Sequence, residues 1–282
     1  MPSLYTYSDA QIKFSHSVDL HPQDRNFQMH IHELYEIFCF VSGNASYLVE
    51  GNEYPLEPGS IMTMCKTETH RIKILSGEPY ERFTLHFSPA LLTTVDPQRL
   101  LLQIFHDHPL GQNNLYRPEE FKGEEALSLL QAMCTPNDTA EERRLAVLAN
   151  LIPLLHLLRN RFLKKTQPET ATRSLAEEIV AYINRHLFEE LSLESLSRHF
   201  FLSTSQLGRL FKEATGSSVW NYILIKRLVA ARSKIRAGAS FAEAAQACGF
   251  HDYSSFYRAY RHQYHTSPKN DFLNESDSRS LL

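Results

Sequence analysis

The sequence has few of the features that are typical of secreted or membrane-spanning proteins, or of small domains stabilised by structural zinc. Its four cysteines are scattered and form no C-x-x-C pair, which excludes zinc ribbons and small disulfide-framed domains. No run approaches the roughly 18 uncharged apolar residues that a membrane-spanning helix needs. The opening stretch, MPSLYTYSDAQIKF, has no apolar signal-peptide segment. We therefore expect a cytoplasmic protein with reduced thiols and no membrane partner.

The net charge is also small, but the charged residues are unevenly distributed along the chain. The formal net charge is −3 over 282 residues. Residues 196–269 carry eleven Lys and Arg against three Asp and Glu, a net charge of +8, so the rest of the chain carries −11. This asymmetry favours two modules, one of which meets a polyanion such as nucleic acid. A solvated basic surface is the alternative explanation.

The first ninety residues have the pattern of β-strands. LYEIFCFVSG is β-branched and aromatic, and the following segments HRIKIL and RFTLHF are short and separated by turn residues. Short strands with turn signals every 8–12 residues indicate an antiparallel sandwich or barrel. A helical section is predicted to begin near Pro89. We place all of this in one domain, residues 1–163.

A helix over residues 141–160 is predicted to be amphipathic. Its apolar residues follow three- and four-residue spacings; they are Leu145, Leu148, Ile152, Leu155 and Leu158. This stripe either packs on its own domain or faces a second copy of the chain in a homodimer. Pro153 is predicted to kink or split the helix, because proline removes a backbone hydrogen bond.

The remainder divides by composition. Residues 164–173 are polar, contain proline and lack large apolar residues, which is typical of an interdomain linker. Residues 174–272 are predicted to be entirely helical, with Ser192 and Ser203 as N-caps and Gly216 as a helix stop. Residues 273–282 are predicted to form a flexible tail.

The helical part contains an internal repeat with an offset of 49 residues. SQLGRLFK at 205–212 matches SSFYRAYR at 254–261, and the helices that precede these two segments share the same offset. Each unit is a short helix, a tight turn and a second helix, which is the form of a helix-turn-helix. A single helical hairpin would favour an α-solenoid or bundle. Two copies that are both basic on one face favour DNA binding.

The second helix of each unit is predicted to enter the major groove of double-stranded DNA. Apolar positions such as Phe211 and Tyr260 fall on the inner face of these helices, and polar positions on the outer face. Arginine can bridge guanine O6 and N7, and cations one turn later suit phosphate contact. The predicted DNA-binding residues are Ser205, Gln206, Arg209, Lys212, Tyr253, Ser254, Tyr257, Arg258 and Arg261.

Residues 172–272 resemble the DNA-binding domain of AraC-type transcription regulators. The resemblance rests on AAQACGFHDYSSFYRAY followed by HTSP, and it implies two helix-turn-helix units joined by a long helix. Three positions depart from the family pattern. Gly208 offers no base-reading side chain, Val219 replaces a common proline, and His265 replaces the usual glycine. We expect the turn at His265 to differ, because a β-carbon in a left-handed conformation costs about 1 kcal/mol.

The segment from His30 to Gly43 resembles the first motif of cupins, H-x-H-x(3–4)-E-x(6)-G. His30, His32 and Glu36 occupy the ligand positions, with His70 or His86 as a fourth candidate, although His70 comes later than the second motif requires. His30 and His32 are expected on one face of a strand. AraC-type sensor barrels resemble cupins but mostly lack the metal. The resemblance thus favours a polar lining that binds a small molecule, or hydrogen-bonded barrel residues, over a metal site, and no cofactor is expected.

The predicted fold class is therefore α+β and multidomain: a cupin-like antiparallel β-barrel (jelly roll) followed by helices, then an all-α domain with two helix-turn-helix units. A sensor barrel needs aromatic walls and a few oriented polar groups. The predicted effector-binding residues are His30, His32, Glu36, Phe38, Tyr47, His70, Arg82 and His86.

We accordingly expect a non-enzymatic, sequence-specific transcription regulator, an activator controlled by a small-molecule effector such as a carbohydrate. Its expected partners are promoter DNA, the effector, a second copy of the chain and RNA polymerase. The alternative is a metal-dependent cupin enzyme with a helical appendage.

Overall fold

The computed structural model describes residues 3–121, 125–135, 139–165 and 174–272. The chain forms two compact units, Met1–Arg173 and Ser174–Leu282. The first is built on antiparallel sheets, and the second is helical throughout its described residues. The predicted combination of an antiparallel β domain followed by a helical domain is confirmed. Most of the predicted linker and all of the predicted tail lie outside the described residues. No helix among those described could cross a bilayer.

The described residues of the first unit include nine strands, which form two sheets. Six form one sheet, in the order β1-β2-β8-β3-β6-β9, and three form the other, in the order β5-β4-β7. Every strand pair is antiparallel. The strands are β1 (Ser3–Ser8), β2 (Ile12–Asp19), β3 (Tyr35–Ser42), β4 (Ala45–Val49), β5 (Asn52–Pro55), β6 (Ile61–Met64), β7 (His70–Ile74), β8 (Tyr80–Phe87) and β9 (Leu115–Tyr116).

Strand β3 runs through the centre of the six-stranded sheet and is buried on both faces. Its residues alternate between the two faces because successive side chains in a strand point in opposite directions. Ile37 and Cys39 face a core shared with the helices of this unit. Phe38 and Phe40 face a second core, between the two sheets. Because both faces of β3 are buried in a core, the strand is an almost continuous apolar run. The second core also holds the cavity described below.

Three helices of the first unit are described: α1 (Gln103–His106), α2 (Glu125–Ala132) and α3 (Ala140–Phe162). The predicted split at Pro153 is wrong, because α3 is one continuous 23-residue helix with Pro153 inside it. An interior proline costs about 3 kcal/mol. Leu151 and Leu154, one on either side, are fully buried, and each contributes about 1.5–3 kcal/mol on burial. Packing on both sides of Pro153 therefore offsets its cost.

The buried face of α3 also differs from the predicted stripe. Leu155 and Leu158 are buried as expected, but Leu145 is 64% exposed and Ile152 is 39% exposed. The buried residues of α3 are Val147, Leu151, Leu154, Leu155 and Leu158. The predicted stripe thus belongs to two faces, one packed on its own unit and one facing solvent.

The second unit contains α4 (Leu175–Arg185), α5 (Leu193–Phe200), α6 (Thr204–Thr215), α7 (Val219–Arg236), α8 (Phe241–Ala247) and α9 (Tyr253–Tyr264). The predicted caps are confirmed. Ser192 and Ser203 form capping boxes at the starts of α5 and α6, and Gly216 ends α6 in a left-handed conformation. Helix α7 contacts α6, α8 and α9, and thus joins the two repeated hairpins, α5–α6 and α8–α9.

Candidate effector cavity and DNA-binding helices

A cavity of about 240 Å³ lies in the first unit, against the core between the two sheets. Six of the eight predicted effector residues line it: His30, Glu36, Phe38, Tyr47, Arg82 and His86. His32 and His70 do not line the cavity, but the Nε2 atom of each lies within 3.0 Å of a Glu36 carboxylate oxygen. The structure therefore brings all eight residues into one region.

Aromatic rings and one arginine form part of the cavity wall. The Arg82 guanidinium lies 4.6 Å from the centroid of the Tyr80 ring and 5.7 Å from that of Phe27. Phe38 and Tyr47 pack together with their ring centroids 4.8 Å apart. The cavity thus offers flat apolar faces beside a fixed cation, the combination that orients a small polar ligand.

Glu36 is the acidic centre of this region and is almost completely buried. Burial alone would raise its pKa. The neighbouring His86 and His70, together with a hydrogen bond from His32, instead hold the pKa of Glu36 well below its usual range. The Tyr47 hydroxyl donates to the other carboxylate oxygen over 3.4 Å, and burial raises the pKa of Tyr47. Glu36 is thus an anion held among imidazoles.

The backbone positions of His30 and His32 differ from the prediction. His30 and His32 do not lie on one regular strand. His30 forms an isolated β-bridge with His70, and His32 lies in the irregular segment before β3. Desolvation, followed by the proximity of His70, lowers the pKa of His30 to about 4, although the residue as a whole stays exposed to solvent. The bridge brings His70 beside His30 despite its late position in the sequence.

Sequence reasoning missed six further lining residues: Asn26, Phe27, Gln28, Ile72, Tyr80 and Thr84. Strand alternation could have identified Tyr80 and Thr84, which share a face of β8 with Arg82 and His86. Phe27 and Gln28 lie in an irregular segment, where no periodic pattern marks the face that a side chain occupies.

The outer face of α6 is exposed as predicted. Ser205, Arg209 and Lys212 are exposed, whereas Leu207 and Phe211 are fully buried. Gln206 is also exposed, but its Oε1 accepts hydrogen bonds from the backbone and hydroxyl of Ser203. Its amide NH₂ group remains outside this capping box. Gln206 therefore combines a capping role with the predicted polar face.

Helix α9 has the same division between its faces. Phe256 and Tyr260 are fully buried against α7 and α8, and the Tyr260 hydroxyl bonds to Asp271. The other face presents Tyr253, Ser254, Arg258 and Arg261, which are exposed, and Tyr257, which is half-buried. The helix ends at His265 with φ 57° and ψ 15°, close to the φ 74° and ψ 9° of Gly216. The expectation of a different turn is therefore wrong.

Some of the cations counted in the basic region are structural. Lys226 and Arg232 on α7 are buried. The Arg227 guanidinium donates to three backbone oxygens, those of Leu187, Gly249 and Glu189, at 2.6–2.8 Å. These three cations lie largely within the helical unit rather than on its surface. The net charge of +8 therefore overstates the cationic surface available to DNA.

Two protein-family models match separate stretches of the chain, one in each compact unit. A model described as an AraC-like ligand binding domain matches residues 18–155, and a helix-turn-helix domain model matches residues 196–272. The HTH-type transcriptional activator RhaS of Citrobacter koseri is 25% identical over 273 residues, covering 90% of this chain and 95% of that protein.

Two solved structures are also similar. Unsaturated fatty acid-bound ToxT from Vibrio cholerae has 12% identity and a TM-score of 0.40, covering 92% of this chain and 94% of that one. The DNA-binding domain of AdpA, solved in complex with a target DNA, has 25% identity and a TM-score of 0.36. That match covers 38% of this chain and 98% of the other.

Proposed function

Because this chain belongs to the AraC family of transcription regulators, we propose that a small-molecule effector bound in its N-terminal cavity controls its binding to promoter DNA. The two helix-turn-helix units bind successive major grooves on one side of double-stranded DNA. The effector acts by favouring one of at least two arrangements of the protein, which requires different affinities for them. In this proposal the chain catalyses no reaction.

One observation carries the DNA-binding half of the proposal. Helices α6 and α9 present the same pair of exposed cations one turn apart, Arg209 with Lys212 and Arg258 with Arg261. The aromatic residues at matching positions, Phe211 and Tyr260, are fully buried. Two helices of one unit thus repeat one polar face, as base reading followed by phosphate contact requires.

The test is fluorescence anisotropy of the full chain on DNA from upstream of its own gene and on a shuffled sequence, at two salt concentrations. The double variant Arg209→Ala/Arg258→Ala should bind the upstream DNA at least about tenfold more weakly, as for loss of base-reading arginines. Lys13→Ala removes an exposed cation of the first unit and should leave binding unchanged. Equal affinity of the wild-type protein for both DNAs would contradict the proposal.

The size and chemistry of the cavity favour a small polar effector. About 240 Å³ lies below the roughly 300–1,000 Å³ of typical drug-sized sites. Aromatic faces beside Arg82 and hydrogen-bonding side chains suit a monosaccharide or a sugar acid.

The effector is identified by thermal unfolding of the protein with a panel of neutral sugars and sugar acids. A ligand in this cavity should raise the unfolding temperature of the wild-type protein and have a smaller effect on Arg82→Ala. An equal shift in both proteins would place the ligand elsewhere.

We further propose that the chain activates transcription as a homodimer, with RNA polymerase as a partner. The name of the C. koseri relative supports activation. The solvent-facing side of α3 supports dimerisation, because Leu145, Ala149 and Ile152 form an exposed apolar row at four- and three-residue spacings. A second copy of this row is a suitable partner for it.

A further inference from the structure

Three histidines near Glu36 have the same nitrogen occupied by a backbone carbonyl. His30 Nδ1 lies 3.0 Å from Gln28 O, His32 Nδ1 lies 2.7 Å from Leu34 O, and His70 Nδ1 lies 2.9 Å from Glu68 O. A carbonyl oxygen only accepts hydrogen bonds, so each Nδ1 carries a proton and donates it. In a neutral imidazole the other nitrogen, Nε2, then holds a lone pair.

Two of these Nε2 atoms lie close to an anion. His32 Nε2 lies 2.6 Å and His70 Nε2 lies 3.0 Å from the same carboxylate oxygen, Glu36 Oε2. His86 Nε2 lies 3.4 Å from that oxygen. Lone pairs of neutral imidazoles and an anionic oxygen repel one another at these distances. Either protons on the imidazoles or a cation among these atoms must therefore hold the cluster together.

The imidazole rings also converge on one another. The ring centroids of His32 and His70 are 4.8 Å apart, and those of His30 and His70 are 4.5 Å apart. Three imidazoles gathered around one carboxylate form a donor set that suits a metal ion. His70 Nε2 is buried and has no well-oriented hydrogen-bond partner within the described part of the chain. This nitrogen is therefore available as a ligand atom.

We propose that His30, His32, His70 and Glu36 bind one divalent transition-metal ion. One ligand atom from each residue lies within 4.8 Å of the other three. Imidazole nitrogens with one carboxylate suit zinc, iron, nickel or copper rather than calcium or magnesium. The carbonyls on the Nδ1 atoms hold the rings in the tautomer that metal binding needs.

A bound ion requires the ligand atoms to shift: they now lie up to 4.8 Å apart, so the most distant must approach by about 1.5 Å. Ligand atoms around a tetrahedral ion with bonds of about 2.0–2.1 Å lie roughly 3.3 Å apart. The His32–Glu36 pair, now at 2.6 Å, must separate by under about 1 Å to reach that spacing. His30 and Glu36 also line the 240 Å³ cavity, so the bound ion faces the cavity. The sequence analysis favoured no metal here, because AraC-type sensor barrels mostly lack one and His70 comes later than the second cupin motif requires. This proposal is independent of DNA binding.

The test uses the full chain without an affinity tag, treated with a chelator and dialysed against Zn²⁺. The wild-type protein should bind one tightly held zinc ion. His70→Gln, Glu36→Gln and the milder His32→Gln should each weaken that binding by about tenfold or more. Co²⁺ in place of Zn²⁺ should give a visible absorption spectrum that the same variants lose.

His16→Gln is the matched control, because His16 Nε2 pairs with Glu81 at 2.7 Å outside the cluster. It should keep full zinc binding. Circular dichroism identifies any variant that has lost its fold, and Zn²⁺ should raise the unfolding temperature of the wild-type protein. No tight zinc binding by the wild-type protein would overturn the proposal. Equal binding by all variants, through others of the fourteen histidines, would overturn it as well.

Discussion

Arg227 shows how a single residue can be misjudged from charge alone. It lies in the most basic part of the sequence, yet its guanidinium bonds to backbone oxygens of two other segments, the one after α4 and the turn between α8 and α9. Arginine suits this position because its planar fork holds donors pointing in fixed directions. Sequence periodicity places Arg227 on α7, but it cannot show which carbonyls come near.

Arg227→Lys should lower the free energy of unfolding of the helical unit by about 2–4 kcal/mol, because lysine cannot reproduce three diverging hydrogen bonds to a charged group. Trp220, the only tryptophan, lies on α7 and reports on this unit through its fluorescence during urea unfolding. Arg185→Lys, on the exposed surface of α4, is the control and should change little. Equal urea midpoints for the two variants would show that the three bonds add no net stability.

His265→Gly should stabilise the same unit by up to about 1 kcal/mol. His265 has a left-handed backbone with φ 57°, where a β-carbon is costly and glycine is not. Gly249→Ala should instead destabilise the unit, and by more than about 1 kcal/mol, since its new β-carbon would lie 2.8 Å from the Phe188 oxygen. Both are measured by Trp220 fluorescence in urea. Destabilisation by His265→Gly would mean that the histidine side chain makes a compensating contact.

At the scale of elements, helices with one buried face were predictable. Serine caps marked the starts of α5 and α6 and a glycine stop the end of α6, and a clear division between apolar and polar positions marked the two faces of α6 and α9. Helix α3 was harder, because leucines occur on several of its faces and any of several stripes fits a helical period. Only the elements that pack against α3, chiefly α2 together with α1 and β1, decide that Leu151 and Leu154 are buried while Leu145 and Ile152 are exposed.

The two arginines of α9 should differ in what they recognise. Arg258→Ala should weaken binding to the preferred DNA by about 1–3 kcal/mol and have a smaller effect on shuffled DNA, as for a base contact. Arg261→Ala should weaken binding to both DNAs alike. It should also reduce the slope of log affinity against log salt by about one, as expected for loss of one phosphate contact. Anisotropy titrations at several salt concentrations separate the two. The reverse pattern would exchange the two roles.

At the scale of the whole molecule, the sequence predicted which residues approach the cavity better than it predicted how they do so. The spacing of His30, His32 and Glu36 marked the region directly. The contribution of His70 depends on a bridge between distant segments, and that of Phe27 on an irregular loop. The local periodicity of a sequence does not predict such long-range pairing. The predicted list therefore included five of the eight lining residues on strands, but only His30 of the four outside them.

The exposed row of α3 leads to a prediction about the assembled protein. If two copies meet there, Leu145→Glu/Ile152→Glu should convert a dimer to a monomer, because charges would be buried against apolar partners. Leu20→Glu, at an exposed leucine in the same unit, is the control and should remain dimeric. Sedimentation equilibrium measures the molecular mass of each.

The same pair of variants connects assembly to DNA binding. A dimer contacts about twice as many phosphates as a monomer, so the dependence of log affinity on log salt should be about twice as steep. The Leu145→Glu/Ile152→Glu protein should therefore bind more weakly, with roughly half the salt slope, while Leu20→Glu matches the wild-type protein. A monomeric variant with an unchanged salt slope would show that each chain binds DNA independently. A variant that stays dimeric would place the interface on another surface.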